Sequence, residues 1–169
     1  MILEIDLSPP FRVIRFDDIG STSDEAKQLA EAGAAHGTLV WAASQSQGRG
    51  RRGNSWHSPP GNLYVSLVLR PDCVPAQAMQ LTFVASLALA DTIAAFAPAS
   101  AEVTCKWPND VFINHQKTAG LLLESSTSGG AGLDWLVIGM GVNIAHAPDD
   151  VSQPVTSLEA EGCTDLTPG

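Results

Sequence analysis

The stretch from Gln45 to Leu67 reads QSQGRGRRGNSWHSPPGNLYVSL, and the rest of the chain is arranged around it. Within it, residues 48–53 combine three glycines with three arginines. Glycine lets a backbone approach a ligand closely, and a guanidinium can hold a carboxylate or phosphate with two hydrogen bonds at once. The segment therefore predicts either a mobile loop that closes over an anion or a surface loop whose arginines meet solvent or nucleic acid.

Strand patterns flank this loop, at residues 38–46 before it and 62–70 after it. Upstream, residues 11–16 alternate apolar and basic side chains, as a half-buried strand does. Ser21-Thr22-Ser23 follows, with two acids directly after it, which predicts the start of a helix. Hydroxyl groups crowded at a helix N-terminus either cap the helix or bind a small polar ligand.

The second half of the chain predicts one helix and several further strands. Residues 76–97 are rich in alanine and leucine and apolar nearly all round, which predicts a buried core helix. Residues 103–113 read as a strand, a Pro-Asn-Asp turn and a strand, and residues 117–124 form another apolar stretch. The nearly continuous apolar run at 135–144 predicts a central strand. From residue 145 onward we expect loop.

Composition limits the classes of function. The 169 residues form one domain of ordinary size, with 44% hydrophobic residues. A net charge of −9 disfavours general nucleic-acid binding. Three widely spaced cysteines predict free thiols in a reducing cytosol, and the start of the chain does not resemble a signal peptide. Five of the nine basic residues fall in two short motifs: Arg49, Arg51, Arg52, Lys106 and Lys117.

Three longer motifs occur in a fixed order after Ser21-Thr22-Ser23. They are SxxQGRGRRGxxWxSPxGNLYxS at 44–66, KWPNDxxxxxxKxAGxLxE at 106–124 and VIGxGxN at 137–143. Together they closely resemble the catalytic domain of biotin–protein ligase, over roughly residues 11–158. The resemblance implies an α+β fold with a mixed, largely antiparallel sheet backed by helices, like the class II aminoacyl-tRNA synthetase core.

The family resemblance implies a two-step reaction. Biotin and ATP would give biotinyl-5′-AMP and pyrophosphate, and the biotinyl group would then pass to a lysine of a biotin carboxyl carrier domain of acetyl-CoA carboxylase or a related carboxylase. The resemblance adds ATP and Mg²⁺ as cofactors, a cytoplasmic location, and neither DNA nor membrane as a partner. Because a carboxylate and a phosphate repel each other, such a site needs cations near both anions.

The resemblance also implies roles for individual residues. The biotin-binding residues would be Ser21, Thr22, Ser23, Gln45, Arg49, Gly50, Arg51 and Lys117. The catalytic residues would be Arg49, Arg51, Lys106, Asp110 and Lys117. Asp110 would bind Mg²⁺ or orient a basic partner, and the nucleotide side would include Arg51, Trp56 and Asn143.

Several interpretations concern structure. Trp107 is expected in the core, and Tyr64 is interpreted as either packing or pocket wall. We expect the loop at 47–54 to be mobile without ligand, and Gly50 to need a positive φ. About ten residues precede the first strand, so no DNA-binding domain and no repressor activity are expected. We treat residues 1–169 as a single catalytic domain with 145–169 as its tail, either a fragment or a short member that lacks the family's C-terminal SH3-like domain.

Three alternative functions stay open at this point. The chain could be a lipoate- or octanoyl-transferring relative on the same fold, or a biotin-binding module that has lost turnover because its C-terminus is short. It could also be an RNA-binding protein that uses the arginine loop, although the net charge and the scarcity of aromatic residues around that loop argue against it.

Overall fold

A computed structural model describes residues 7–127, 129, 132–164 and 166 of the chain. Its centre is a seven-stranded sheet in the order β1-β2-β3-β7-β6-β5-β4. The elements in chain order are β1 (Arg12–Ile19), α1 (Thr22–Glu31), β2 (Thr38–Gln45), β3 (Leu63–Leu69), α2 (Pro75–Ala78), α3 (Leu81–Phe96), β4 (Val103–Lys106), β5 (Asp110–Ile113), β6 (Gln116–Ser126) and β7 (Trp135–Val142).

The sheet is mixed and largely antiparallel, as predicted. β1 and β2 run parallel, while every other pair of neighbouring strands is antiparallel. β7 occupies the fourth of the seven positions, so the prediction of a central strand at 135–144 is confirmed. A strand bonded on both sides and covered on both faces needs few polar side chains, which explains its apolar run.

The two faces of the sheet pack against different helices. Along β7, Trp135 and Val137 pack with α1, whereas Leu136, Ile138 and Val142 belong to the larger core on the side of α3. Successive side chains of a strand point to opposite faces. We therefore refer to the α1 face and the α3 face of the sheet.

The N-terminus of α1 forms as the sequence predicts. Ser21 is the N-cap, with extended backbone, and its side chain accepts a hydrogen bond from the N–H of Asp24. Asp24 and Glu25 lie in the first turn, where negative charge interacts favourably with the helix dipole. The hydroxyl residues at 21–23 are all buried, so the start of the helix is held inside the protein.

The C-terminus of α1 is bound by an arginine from another element. The Arg70 side chain, just after β3, donates hydrogen bonds to the carbonyls of Ala30, Ala34 and Asp134 at 2.7–2.8 Å. The carbonyls at the end of a helix have no partner within the helix and carry partial negative charge. The last turn of α1 contains no basic residue of its own. Arg70 therefore supplies this end of the helix with both hydrogen-bond donors and positive charge.

The prediction of a buried helix over 76–97 is wrong in its burial. A short helix, α2, precedes α3, and only Ser86, Ala90 and Ile93 of α3 are buried. Val84 and Leu87 are 59% and 58% exposed. An apolar composition predicts burial only where another element covers each side of the helix, and the sheet covers one side. Among the described residues, Pro75–Phe96 is the segment long and apolar enough to span a membrane by length and composition alone, a criterion that core helices of soluble proteins also meet.

The chain after β7 folds back on the sheet without a further helix or strand among the described residues. Buried Asn62 organises its first part, because its Oδ1 accepts hydrogen bonds from the N–H groups of Ile144, Ala145 and His146 at 2.9–3.0 Å. Leu158 and Cys163 then pack into the core on the α3 face. The three cysteines are free thiols.

Candidate active site

A row of residues crosses the α1 face over five strands. The register pairs Ala42 with Tyr64, Tyr64 with Gly141, Gly141 with Gly120, and Gly120 with Asp110. Directly opposed residues in a sheet point to the same face. Two adjacent glycines in the middle of this row therefore leave a shallow floor, bordered by a buried tyrosine on one side and a carboxylate on the other.

Trp56 lies on this glycine floor. A Cβ at Gly141 would come within 2.6 Å of the indole, and a Cβ at Gly120 within 3.1 Å. Both contacts are closer than real Cβ atoms normally allow, so the indole fits only because neither residue has a side chain. The Trp56 Nε1 atom is buried, and no described residue accepts a hydrogen bond from it. A buried donor without an acceptor is costly, so the site offers an unused hydrogen bond next to the floor.

A β-bulge brings Lys117 onto the α1 face. The pairing of β5 with β6 steps from Val111↔Ala119 to Phe112↔Lys117, which leaves Thr118 as the extra residue. A bulge of this kind redirects the side chains beyond it. The Lys117 ammonium lies 2.8 Å from Asp110 Oδ1 and 5.3 Å from the centroid of the Trp56 ring.

Asp110 therefore acts as the partner of a lysine in this structure. The two side chains are only 14% and 20% exposed, so the pair is largely shielded from water. The described residues contain no group of three His, Cys, Asp or Glu side chains that could hold a metal ion. Both roles expected for Asp110 stay predictions, because Mg²⁺ needs only one or two protein carboxylates beside substrate phosphates.

The arginine loop is a small hairpin, residues 48–56, that rises beside Trp56. Its arms are joined by hydrogen bonds from Trp56 N–H to Gly48 O and from Gly50 N–H to Asn54 O, both 2.8 Å. Positive φ angles occur at its tip, 58° at Arg52 and 78° at Gly53. Gly50 has an extended backbone with φ −105°. The expectation that Gly50 needs a positive φ is therefore wrong, because the turn lies three residues later.

Arg49 is bound by two carboxylates from outside the hairpin. Its Nη2 lies 2.5 Å from Asp24 of α1 and 3.5 Å from Glu124 of β6. Lys27 lies 3.0 Å from Asp24 and 2.8 Å from Glu124, which closes a four-residue ion-pair cluster. Burial alone would lower the pKa of Lys27, but hydrogen bonds to Glu124 and Asp24 outweigh burial and leave that pKa raised.

Arg51 and Lys106 have different surroundings. The Arg51 Nη1 donates a 3.0 Å hydrogen bond to Asn109 Oδ1, and none of the described carboxylates forms an ion pair with this guanidinium. Lys106 is exposed, with its ammonium 5.1 Å from the centroid of Phe112. Trp107, between Lys106 and the turn, is 77% exposed, so its prediction as a core residue is wrong. These cations flank the glycine floor on the side of β4 and β5.

A buried polar network surrounds the N-terminus of α1. Gln45 Oε1 accepts hydrogen bonds from the Thr22 N–H at 2.8 Å and the Thr22 hydroxyl at 3.1 Å. The Gln45 amide donates to Ser58 Oγ at 2.9 Å. Ser66 hydrogen-bonds to Thr22 at 2.9 Å and to Ser23 at 3.1 Å. The predicted biotin-pocket residues Thr22, Ser23 and Gln45 are thus linked to one another.

A cavity of about 620 Å³ adjoins this network at the carboxyl ends of β1 and β2. Gln45 forms part of its wall, together with 18–20, Ser44, Ser46 and 57–60. Gln45 therefore separates the cavity from the start of α1. Asn143 is only 3% exposed, and its amide donates to Thr156 O at 3.1 Å. Its role at the nucleotide side remains a prediction.

The structure thus brings most predicted site residues to one face and adds others. Ser66 and the glycine pair lie within the quoted motifs, but the sequence assigns no role to them or to the acidic partners of Arg49. One signal was available: Glu124 directly follows the apolar run at 121–123 and lies four positions from Gly120, therefore on the same face. The residues added by the structure are Asp24, Lys27, Ser66, Asn109, Gly120, Glu124 and Gly141.

Comparison with known proteins gives the class to which this fold and site belong. Residues 15–143 match the Biotin/lipoate A/B protein ligase family, and the chain belongs to that family. It is 48% identical over 129 residues to a biotin–[acetyl-CoA-carboxylase] ligase of Paracoccus denitrificans, covering 76% of this chain and 53% of that relative. It is 39% identical over 139 residues to the bifunctional ligase/repressor BirA of Bacillus subtilis, covering 82% of this chain and 42% of the relative.

Solved structures of biotin protein ligases are also similar to this chain. The biotin protein ligase of Leishmania major in complex with biotinyl-5-AMP superposes with a TM-score of 0.79 at 31% identity, over 95% of this chain and 70% of that one. The biotin protein ligase of Aquifex aeolicus in complex with biotin and ATP gives a TM-score of 0.71 at 30% identity, over 89% and 61%. These similarities confirm the predicted class II synthetase-like fold. The chain spans about half the length of the curated relatives it matches.

Proposed function

We propose that this chain carries the biotin-activating site of a biotin–[acetyl-CoA-carboxylase] ligase. The observation that carries the proposal is the Lys117–Asp110 pair, which stands at the edge of a glycine floor beneath an arginine hairpin. The Trp56 indole covers this floor, and the cations beside it suit the meeting of a carboxylate with a phosphate. The names of similar proteins support the same activity.

In the first step, a carboxylate oxygen of biotin attacks the α-phosphorus of ATP. A carbon–oxygen–phosphorus anhydride forms, and the bond to the β-phosphate breaks to release pyrophosphate. We assign the Lys117 ammonium to the space between the two anions, where it reduces their repulsion, and Asp110 to holding that ammonium in place. Arg51 and Lys106 supply further positive charge on the phosphate side. Mg²⁺ would enter with the nucleotide and neutralise its phosphates.

The rest of the pocket would bind biotin and the nucleotide. We assign the polar ureido ring to the hydroxyl and amide groups around the start of α1, and the valeryl chain to the space beside the Trp56 indole, which covers the glycine floor. The backbone at Arg49 and Gly50 would close over that chain. Trp56 and Asn143 are assigned to the nucleotide side. The residues assigned to the ureido ring are Ser21, Thr22, Ser23 and Gln45.

In the second step, the ε-amine of a carrier lysine attacks the carbonyl carbon of biotinyl-5′-AMP. An amide bond forms, AMP leaves, and the amine gives up a proton. The implied partner is a biotin carboxyl carrier domain, and the implied location is the cytoplasm. The names of the Paracoccus and Mycobacterium relatives support this carrier, since both refer to acetyl-CoA carboxylase.

The decisive experiment measures pyrophosphate release on mixing the chain with biotin and MgATP, with and without a biotin carboxyl carrier domain. Release that needs both biotin and ATP, followed by biotinylation of the carrier, supports both steps. Biotin binding by calorimetry without pyrophosphate release would support the binding-module alternative. Because the family also includes lipoate ligases, lipoate is tested in parallel, and release with lipoate but not biotin would overturn the proposal.

A further inference from the structure

The ion-pair cluster around Arg49 joins the hairpin to two rigid elements. Asp24 belongs to the first turn of α1 and Glu124 to β6, and both reach the same guanidinium nitrogen. Lys27 contacts both carboxylates and balances the second negative charge. Two cations and two anions give a net charge of zero. The positive charge of Arg49 is therefore already compensated before any substrate binds.

Glu124 makes this arrangement specific. It follows three leucines in β6, and its Oε2 atom is buried with no hydrogen-bond partner among the described residues. A buried carboxylate is costly unless a cation lies close to each oxygen. Lys27 binds Oε1 at 2.8 Å, while Arg49 lies 3.5 Å from Oε2. The two cations serve different oxygens, so Lys27 cannot replace Arg49.

Arg51 lacks such a cluster, although only two positions separate it from Arg49. Its partner is the neutral amide of Asn109, which leaves its full charge available. A guanidinium that must meet a substrate anion gains most when no carboxylate competes for it. The hairpin therefore has one arm held by ion pairs and a tip whose charge is uncompensated among the described residues.

We propose that Asp24, Lys27 and Glu124 are positioning residues that hold the Arg49 arm of the hairpin over the site. In this arrangement the Arg49 side chain is an anchor, and Arg51 provides the charge that meets the substrate. The task of Arg51 rests on the proposed function, whereas the anchor itself does not. The competing arrangement has the Arg49 side chain leave both carboxylates to bind the substrate anion.

The anchor is tested first without ligand, by the rate of trypsin cleavage after Arg51 and Arg52, resolved by mass spectrometry. Glu124→Gln and Asp24→Asn each remove one carboxylate charge while preserving shape. We expect each to speed cleavage roughly two- to fivefold, the range for a partly exposed ion pair. Glu102→Gln removes an equal charge far from the hairpin and should leave the rate unchanged. Thermal melting confirms that each variant is folded.

A double-mutant cycle separates an anchor from independent effects. If Arg49 acts through Glu124, then Arg49→Gln combined with Glu124→Gln should be cleaved no faster than the faster single variant, within about twofold. Multiplied effects of the two substitutions would overturn the proposal. The proposal would also be overturned if Glu124→Gln and Asp24→Asn were cleaved only as fast as the control variant Glu102→Gln.

Pyrophosphate release then separates positioning from catalysis. A weaker anchor lowers the closed fraction of the hairpin, and saturating biotin restores it, so the KM for biotin should rise about two- to fivefold in Glu124→Gln with kcat within about twofold. A kcat loss of roughly a hundredfold in Arg49→Gln alone would show that its side chain meets the reacting anions, which overturns the anchor. If the parent chain releases no pyrophosphate, the proposed function fails, and the cleavage rates still decide on the anchor.

Discussion

The two faces of the sheet differ in the residues that the same strands present to them. Toward α3, β6 and β7 present Leu121, Ile138 and Val142, all buried in an apolar core. Toward α1, the intervening positions include Gly120 and Gly141, which make the floor of the site. Because a strand alternates its faces with a period of two, one stretch of chain serves stability on one side and chemistry on the other. Substitutions one residue apart should therefore have different consequences.

The largest effect is expected on the α3 face. Ile138 is 4% exposed within the main core, and Ile138→Ala should lower the free energy of unfolding by about 2–5 kcal/mol through lost burial and a cavity. The affinity of the folded fraction for biotin should stay near that of the parent. Denaturant unfolding and calorimetry with biotin measure the two quantities. A loss of affinity larger than the loss of stability would show that the faces are not separable.

On the α1 face, Arg51→Gln should act on activity rather than stability. Arg51 is exposed and hydrogen-bonded to a neutral amide, so the melting temperature of the Arg51→Gln variant should differ little from that of the parent. Loss of a charge-assisted contact made in the transition state costs about 2–4 kcal/mol, or roughly a hundredfold or more in the rate of pyrophosphate release. Arg52→Gln is the matched control, with the same charge change one residue away. Equal rates in the two variants would contradict the role given to Arg51.

Within the hairpin, the position of the turn predicts which glycine matters. Gly53 has φ 78°, where a β-branched residue costs about 1–2 kcal/mol. Gly50 is extended, and the nearest atom to an added Cβ is 3.7 Å away. If the hairpin shields biotinyl-5′-AMP from water, Gly53→Val should release the labelled intermediate several times faster than the parent, and Gly50→Val at nearly the parent rate. The reverse order would mean that the turn lies elsewhere in the closed enzyme.

Tyr64, at the edge of the glycine floor, predicts a dependence on alkaline pH. Burial raises the pKa of its hydroxyl to about 12, whereas an unfolded tyrosine titrates near about 10. Between these values the unfolded chain releases a proton that the folded protein keeps, so stability should fall as pH rises from about 10 to about 12. As the single tyrosine, Tyr64 can be followed by tyrosinate absorbance. Tyr64→Phe should remove this dependence, and its persistence would assign it to another group.

The smallest effect is expected on the exposed side of α3. Leu87 is 58% exposed, and Leu87→Ser should change the free energy of unfolding by no more than about 0.5 kcal/mol. A buried helix, as the composition predicts, would lose several times as much. Denaturant unfolding of Leu87→Ser beside Ile138→Ala measures the contrast directly. A loss of more than about 2 kcal/mol would mean that this side of α3 is covered in solution.

Local patterns in the sequence predict the elements of this fold well. The cap at Ser21 and the apolar run of β7 each depend on neighbouring residues alone, so both are readable without the structure. Contacts between residues that are distant in sequence cannot be predicted from such local patterns. Arg49 meets Asp24 and Glu124, which lie 25 residues before it and 75 after it. No local pattern contains that pairing.

Two further features escape prediction for physical reasons. The bulge that turns Lys117 toward Asp110 depends on one extra residue in the pairing of β5 with β6, and a sequence does not specify register by itself. The exposure of α3 and of Trp107 depends on what the fold sets beside them. Apolar composition indicates what a segment could bury and leaves open whether a partner is present.

The contacts of Arg70 have a mechanical consequence for the site. The Arg70 guanidinium links the last turn of α1 to the segment before β7, and at the other end Thr22 and Ser23 are hydrogen-bonded to Gln45 and Ser66 of the sheet. Because α1 is hydrogen-bonded to other elements at both ends, it cannot tilt without breaking hydrogen bonds at one of them. We therefore expect any motion that admits a ligand to occur in the hairpin at 48–56 rather than in α1.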